Sequence, residues 1–410
     1  MEGKMTKLEK YWILYDVGNS AFVLLVSTIL PIYFNYLAGE GGVSQVDALA
    51  YWGYAMSIST LLVAVIGPVL GTVADTKGYK KPIFTACMMV GVAGCGALAL
   101  PVSWMMFLII FMVAKVGYSA SLIFYDAMLS DVTTEDRMDQ VSSHGYAWGY
   151  IGSCLPFVVS LLFVLGNEVI GISMETAMAI AFFINAGWWL GVTLPLLRNY
   201  HQKYGVPRHR HVVRESFGRL VRVFQDIRKN RKIFLFLLAF FFYIDGVYTI
   251  IEMATAYGSA IGLDSQGLLL ALLVTQIVAF PCALFFGKAA GKYKNTSLIK
   301  VCIASYFCIA LFAVQLDKQW EFWLLAVCVG MFQGGIQALS RSYFAKIIPA
   351  EKSGEFFGIF DICGKGASFI GTALVGAMTQ LTGNPGSGVG MLAVLFGVGF
   401  VIFGMAVREE

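Results

Sequence analysis

Seven ionisable side chains lie inside long apolar runs of this 410-residue sequence. They are Asp16, Lys115, Asp126, Asp245, Glu252, Asp361 and Lys365. On insertion scales a charged side chain costs roughly 2.5 to 3.5 kcal/mol at the centre of a membrane helix, so it usually faces a cavity or a partner. Buried carboxylates can exchange protons with solvent, and a buried lysine tends to find an anion. These residue types predict binding of a solute and of protons inside a membrane.

One apolar run carries two of these carboxylates on one helix face. Asp245 and Glu252 are seven residues apart, about two turns, and Thr249 lies between them. Lys115 lies about 11 residues into a separate run, near the expected midplane. A pair of Lys115 with either carboxylate across a cavity would suit a zwitterionic solute, with its carboxylate on the lysine and its ammonium on the acid. The alternatives are a static salt bridge and, for Asp245, a structural role in a helix break before Gly246.

A polar stripe follows another apolar run. Gln333, Gln337 and Arg341 recur at a spacing of four, so they share one face from mid-membrane to the run's expected cytoplasmic end. We expect the two amides to line the cavity. Arg341 is expected to belong to a cytoplasmic gate, with Glu355 or Asp126 as its partner, and the alternative is an anchoring charge at the membrane surface.

The first apolar run carries two polar residues near its start. Asp16 and Asn19 are three residues apart on one face, only about a turn from the expected cytoplasmic surface. This depth favours a gate network with Asp126 over contact with a solute. Local helix capping is the alternative.

The stretch GTVADTKGYKKPIF, which begins at Gly71, sets charges at the unfavourable ends of two helices. Asp75 ends one apolar run, where the helix dipole is negative, and Lys80 and Lys81 begin the next, where it is positive. Each placement costs roughly 0.3 to 1 kcal/mol. We therefore expect Asp75 to meet the N-terminus of a distant helix. The two lysines are expected to help set the orientation of the chain in the membrane. A solvated turn, with Gly71 and Gly78 chosen for tight packing, is the alternative.

The elements that must position these residues are membrane helices. Hydrophobic residues make up 58% of the chain and charged residues 13%, against about a quarter charged in soluble proteins. Apolar runs of this length predict an all-α, polytopic membrane protein. We predict twelve transmembrane helices, over residues 12–37, 49–74, 82–100, 104–129, 142–165, 174–197, 233–257, 268–286, 297–316, 322–348, 356–381 and 389–407.

The distribution of basic residues predicts orientation and domains. Eleven of the 29 lysines and arginines fall within residues 198–232, and most of the others fall in alternate loops on the same side. Because basic loops stay in the cytoplasm, both termini are expected there, in an inner or plasma membrane, and the basic loops favour membrane anchoring over nucleic-acid binding. We predict a six-helix half over residues 1–197, a basic linker with an amphipathic helix over 198–232, and a second half over 233–410.

The loop stretch has a counterpart in the second half, GKAAGKYKNTSLI. Three pairs match at a constant offset: Gly71 with Gly287, Ala74 with Ala290, and Ile83 with Ile299. A tandem repeat of six helices joined by a cytoplasmic linker is typical of transporters whose halves rock about a central site. In the copy, Gly291 replaces Asp75, which predicts a one-sided contact between the halves.

Several stretches resemble known transporter motifs. Seven residues resemble the loop motif of major facilitator transporters, although Thr76 and Tyr79 replace basic residues common there; the seven are Gly71, Ala74, Asp75, Gly78, Lys80, Lys81 and Ile83. The stretches WILYDVGNSAF, YDAMLSDVT with GYAWGYIGS, FYIDGVYTIIEMATAYG and GGIQALSRSYFAKIIPAEKSGEFFGIFDICGKG are similar to one branch, the autophagy-related vacuolar amino-acid effluxer-like family.

This resemblance implies a fold and a function. Spans 1, 4, 7 and 10 would surround a central cavity, and Asp75 would cap span 11, near residues 353–356, to latch the halves on the cytoplasmic side. We predict a monomeric secondary transporter of an amino acid or related metabolite, coupled to protons. Because no Walker motif or HExxH is present, neither ATP-driven pumping nor a metal or cofactor is expected. A lipid or drug transporter of the same fold, and a non-transporting receptor or scaffold, are the alternatives.

Overall fold

The computed structural model describes residues 4–207, 223 and 225–408, and this part of the chain folds almost entirely into helices. Thirteen of the helices are long enough to organise the molecule. They are α1 (Lys7–Ser27), α2 (Ile29–Glu40), α3 (Gln45–Ala74), α4 (Lys80–Ala97), α5 (Trp104–Ala127), α6 (Met138–Leu165), α7 (Met174–Asn199), α8 (Arg231–Ala260), α9 (Ser265–Ala289), α10 (Asn295–Ala313), α11 (Gln319–Ile347), α12 (Ser353–Thr382) and α13 (Leu392–Val407).

Short polar signals set where these helices begin. Ser44, Ser103 and Ser173 precede α3, α5 and α7, and the side chain of each accepts a hydrogen bond from a backbone N–H of the first turn. Such caps satisfy donors that a helix leaves unpaired. The first run is not straight, because α1 and α2 meet at an angle of 41° around Thr28.

The fold class is confirmed, but the count of twelve spans is not. Within the described residues, nine helices are long and apolar enough to cross a membrane, and the bent pair of α1 and α2 makes a tenth. The two long helices outside that count are α4 and α12, which pack among the others. Apolar side chains such as Leu61, Leu155 and Leu162 are about 60% exposed, as expected for a surface that faces lipid.

The helices form two groups that meet along defined pairs. α3 packs against α12 and α6 against α9, while α11 also contacts α6. Glycines permit the close approach: a methyl group on Gly71 would overlap the backbone carbonyl of Gly354, and one on Gly287 would lie 2.6 Å from the Cβ of Ser143. The proposed amphipathic helix of the linker lies almost wholly outside the described residues, so its boundaries and the domain division stay predictions.

Candidate functional site

Asp75 caps a helix of the other half. Its two carboxylate oxygens accept hydrogen bonds from the backbone N–H groups of Gly354 and Glu355, at 2.7 and 2.8 Å. These donors belong to the first turn of α12, where the helix dipole is positive. The side chain is fully buried, so water does not compete for either oxygen. The charge that is misplaced at the end of α3 is therefore well placed at the start of α12.

Lys80 has a role that the sequence did not reveal. We expected only a topological benefit, but the side chain is fully buried, and its ammonium group donates to Asp131 at 3.0 Å and to Ser353 at 2.9 Å. Asp131, in a short helix after α5, belongs to the first half, whereas Ser353 begins α12. A buried lysine needs such partners because desolvation of an unpaired charge is costly. Lys81 is only half-buried, beside this contact.

The start of the linker binds the same loop, in a segment that we call the linker strap, residues 200–206. Asp131 accepts the backbone N–H groups of Lys203 and Tyr204 at 3.0 and 2.9 Å, and also the hydroxyl of Tyr200. Burial and the adjacent Asp131 carboxylate raise the pKa of Tyr200 above its usual range, so its hydroxyl remains a donor. Gln202 accepts the backbone N–H of Gly78 at 2.9 Å. The linker strap thus holds the loop between α3 and α4 in place through contacts with Gly78 and Asp131, which both belong to the first half.

Arg341 lies in a second polar cluster, which we call the gate cluster: Asp16, Asp126, Ser142 and Arg341. The guanidinium is 3.0 Å from Asp126 and 3.4 Å from Asp16, and it donates to the hydroxyl and the carbonyl of Ser142 at 2.9 Å. Asn19 donates to Asp16 at 3.5 Å. The cluster therefore joins α11 of the second half to α1, α5 and α6 of the first.

The gate cluster differs from expectation at one position. The side chain of Glu355 lies 3.9 Å from Lys352, and its backbone N–H bonds Asp75, so the acids that pair with Arg341 are Asp126 and Asp16. Glu355 was a candidate because it was expected at the same cytoplasmic face as Arg341. The intervening turn, which includes the helical turn Ala350–Lys352, carries it instead to the Asp75 contact.

Aromatic rings and a glycine enclose the guanidinium. The rings of Tyr146, Trp12 and Tyr125 lie 4.3, 4.7 and 5.5 Å from its central carbon. Ring faces attract a cation, and they exclude water from the ion pairs. A methyl group on Gly145 would lie 2.6 Å from a carboxylate oxygen of Asp16, so glycine makes the space that this cluster occupies.

A third inter-half contact was missed by the sequence analysis. Asp139, in the first turn of α6, accepts from Lys346, Ser342 and Asn295, each at 2.5 Å. Asn295 begins α10 and lies within the second copy of the loop stretch, so the copy also takes part in joining the halves. This arrangement differs from the one-sided contact that Gly291 predicted. A signal was present, since Asp139 lies in a first turn, where an acid is favoured.

The candidate cavity residues divide into two environments. Lys115 of α5 lies within electrostatic range of Glu252 of α8; the lysine is half-buried and the glutamate exposed. Asp245 is instead buried, and it accepts the backbone N–H of Gly371 on α12 at 3.0 Å and the hydroxyl of Thr249 at 3.3 Å. Lys115 therefore interacts electrostatically with Glu252 across the halves, whereas Asp245 bonds within the second half.

The amides of the α11 stripe are buried. Gln333 and Gln337 are 5% and 9% exposed, and they continue the face that ends at Arg341. Next to them, a methyl group on Gly334 or Gly335 would lie within 2.6 Å of Ala283 or Phe286 of α9. These glycines let α11 and α9 pack closely. The stripe thus runs inside the bundle to the gate cluster.

Comparisons with known proteins agree with this architecture. The family described as "Vacuole effluxer Atg22 like" matches residues 6–410. An "Uncharacterized MFS-type transporter YxiO" of Bacillus subtilis is 43% identical over 100% of this chain and 97% of its own, and an "Autophagy-related protein 22" of Coccidioides immitis is 22% identical over 86% and 71%.

Solved structures share the fold at low sequence identity. The fucose transporter FucP in the outward conformation aligns with a TM-score of 0.74 and 14% identity, over 98% of this chain and 97% of that one. The human organic anion transporter MFSD10 aligns with a TM-score of 0.71 and 13% identity, over 97% and 98%. Both are similar in fold alone.

Proposed function

The chain belongs to the vacuole effluxer Atg22-like family of major facilitator transporters and is a secondary transporter, and on that premise we propose that it moves a zwitterionic solute, an amino acid or a related metabolite, by alternating access coupled to protons. The observation that carries the proposal is the pair of Lys115 and Glu252. These side chains have opposite charge, come from different halves, and are not fully buried. A solute with one ammonium and one carboxylate would complement both.

The inter-half contacts support a gate at the face that carries the loop stretch. Asp75, the gate cluster and Asp139 each join the halves there, through buried or largely buried groups. Because the halves must separate for a solute to pass, these contacts would break and re-form in each cycle. The basic loops favour the cytoplasm for this face, with both termini on the same side.

Proteoliposome uptake tests the solute class. Three labelled solutes of matched size would be compared: an amino acid, its amine without the carboxylate, and its carboxylic acid without the amine. We expect only the amino acid to be taken up by the wild-type protein. Lys115→Gln and Glu252→Gln should each reduce its uptake by about tenfold or more, because a charged hydrogen bond contributes about 1.5 to 3 kcal/mol.

A charge exchange is the matched control. The double variant Lys115→Glu with Glu252→Lys keeps both charges and reverses only their positions, so it should restore part of the uptake lost in either single exchange. Uptake that is equal for amine, acid and amino acid would contradict a zwitterion site. Uptake of the amino acid that is unaffected by collapse of the pH gradient would contradict proton coupling.

A further inference from the structure

The gate cluster holds two acids for one base. Asp16 and Asp126 both pair with Arg341, at 3.4 and 3.0 Å, and the side chains are 9%, 19% and 2% exposed. With both acids ionised, the cluster would enclose a surplus negative charge in a region from which water is largely excluded. Burial of such a charge is unfavourable, and a proton on one acid removes it.

The hydrogen bonds distinguish the two acids. Asp16 accepts from the hydroxyl of Tyr125 at 2.8 Å and from Asn19 at 3.5 Å, in addition to the guanidinium. Both oxygens of the Asp16 carboxylate therefore accept hydrogen bonds, from three donors in all. Asp126 is bonded to Arg341 through one oxygen, Oδ1, and it is the more exposed of the two acids. A protonated acid would still accept from Arg341 through its carbonyl oxygen.

Asp126 also lies within electrostatic range of two residues of the second half. Tyr248 of α8 interacts electrostatically with both Asp126 and Glu252, and it lies four residues before Glu252 on the same helix face. Asp361 of α12 is a further acid within electrostatic range of Asp126. Asp126, whose side chain is 19% exposed, therefore interacts electrostatically with helices of the second half that also carry the proposed solute site.

The other groups around the gate cluster are one base, two further acids, tyrosines and neutral donors. α1 contributes Asp16, Asn19 and Tyr15; α5 contributes Tyr125; α6 contributes Tyr146 and Ser142; α8 contributes Tyr248; α11 contributes Arg341; and α12 contributes Asp361. The tyrosines are neutral near pH 7. The charge of the cluster therefore depends on its acids.

From this geometry we infer that Asp126 is the proton-binding residue of the transport cycle, and that closure of the gate takes up one proton. The inference rests on the proposed proton coupling and deepens it, because it assigns the proton to a named acid of the gate cluster. While this gate is closed, the Asp126 carboxylate binds a proton from the side of the membrane to which the transporter is then open. When the halves separate at the gate, the acid is hydrated and releases the proton to the opposite side.

Two possible roles of Asp126 predict opposite effects of the substitution Asp126→Asn. If Asp126 serves only as an ionised partner of Arg341, Asp126→Asn weakens the closed gate at every pH. If Asp126 is protonated in the closed gate, asparagine imitates that form and keeps the gate closed at high pH. Asp245→Asn is the matched control, because it neutralises a buried acid of the same type outside the gate cluster.

The test is a distance measurement across the gate as a function of pH. Labels on Lys77→Cys and Lys292→Cys, at exposed loop positions of the two halves, would be placed in a cysteine-free background of the full chain. In the wild-type background the closed-to-open ratio should rise by up to tenfold for each unit of decreasing pH, since one proton is taken up on closure. This dependence should persist in Asp245→Asn and disappear in Asp126→Asn, with the gate closed.

Two results would overturn the inference. One is an Asp126→Asn gate that is open throughout, or that keeps the wild-type pH dependence. The other is loss of the pH dependence in Asp245→Asn. Asp16→Asn provides a second variant, in which one acid and one base remain, and it should also make closure independent of pH. Because the distance is measured without a solute, failure here is distinguishable from failure of the uptake experiment.

Discussion

The two sides of the gate are copies of one arrangement, but their chemistry differs. At the α3–α12 side, the Asp75 carboxylate accepts two backbone N–H groups at the start of a helix. At the α6–α9 side, the Asp139 carboxylate accepts from the side chains of Asn295, Ser342 and Lys346. One side binds a fixed helix terminus and the other binds movable side chains. The Asp75 contact should therefore be more sensitive than the Asp139 contact to small displacements of the helices.

The comparison also reveals a common feature. In both contacts, as in the gate cluster, the acid comes from the first half and the donors come from the second. Asp75 accepts hydrogen bonds from the N-terminus of α12, Asp126 pairs with Arg341, and Asp139 pairs with Lys346. The repeat therefore did not lose the contact when Gly291 replaced the aspartate. At this side the acid, Asp139, lies on α6 and not at the end of α9. The first half therefore carries the acid on both sides of the gate, and the second half carries the donors.

The largest expected effect comes from the glycines that let the halves approach. Gly71→Ala should open the gate strongly, because its methyl group would overlap the rigid backbone carbonyl of Gly354. Overpacking of this kind costs about 1 to 3 kcal/mol. Gly287→Ala should have a smaller effect, because its methyl group meets the side chain of Ser143. Ser20 of α1 is half-buried next to Asn19 and lies against Gly149 of α6. Labelling of Ser20→Cys, in the cysteine-free background, by a membrane-impermeant thiol reagent would measure the opening; equal labelling in both variants would contradict the difference between the sides.

The next effect comes from the helix cap. Asp75→Asn removes the charge from two hydrogen bonds to the α12 terminus, and we expect the open gate to be favoured by about 2 kcal/mol, or about 30-fold. The same thiol labelling measures this change. Asp75→Glu keeps the charge but lengthens the side chain, so it tests whether geometry or charge decides. If Asp75→Asn is labelled at the same rate as the protein with Asp75, the contact of Asp75 with α12 does not hold the gate closed.

A smaller effect is expected on the other side. Asp139→Asn retains an oxygen that accepts from Asn295 and Ser342, and it loses the ion pair with a lysine that is 20% exposed. Partly exposed pairs contribute about 1 kcal/mol or less, so labelling should rise by about fivefold at most. Lys346→Gln is the partner control and should match it. An effect of Asp139→Asn as large as that of Asp75→Asn would contradict the ranking.

The smallest effect on the gate is expected from the linker strap. Gln202→Ala removes a side chain that accepts the backbone N–H groups of Gly78 and Lys80 at 2.9 and 3.3 Å. Because these contacts join the linker to the first half and do not reach the second half, their loss should lower thermal stability by about 1 kcal/mol and change thiol labelling by less than twofold. A large rise in labelling would show that the strap holds the gate itself.

Sequence reasoning was most informative where a residue was in an unfavourable local place. Asp75 at a helix C-terminus and Arg341 at the end of a polar stripe both required distant partners, and the structure places such partners beside them. Lys80 and Asp139 were harder to interpret, because a lysine or an aspartate near a membrane surface is also an ordinary anchoring or capping residue. Their partners are 51 and 207 residues away, and no local pattern identifies them.

The cavity shows a similar limit. The spacing of Asp245 and Glu252 placed both on one face, but it did not distinguish their environments. The Gly371 backbone determines that difference, because it approaches Asp245 closely enough to donate to it. Periodicity fixes the direction of a side chain, whereas the packing of neighbouring helices decides what that side chain meets. The division between a buried Asp245 and an exposed Glu252 thus required the three-dimensional arrangement.

The most direct test of the account is whether a solute moves the gate. Ser20→Cys protein in sealed vesicles of known orientation would be labelled with an impermeant thiol reagent, with and without a transported amino acid. We predict that the amino acid changes the labelling rate severalfold in the otherwise wild-type protein and has no effect in Lys115→Gln. A labelling rate that is unchanged by an amino acid shown to bind would contradict alternating access.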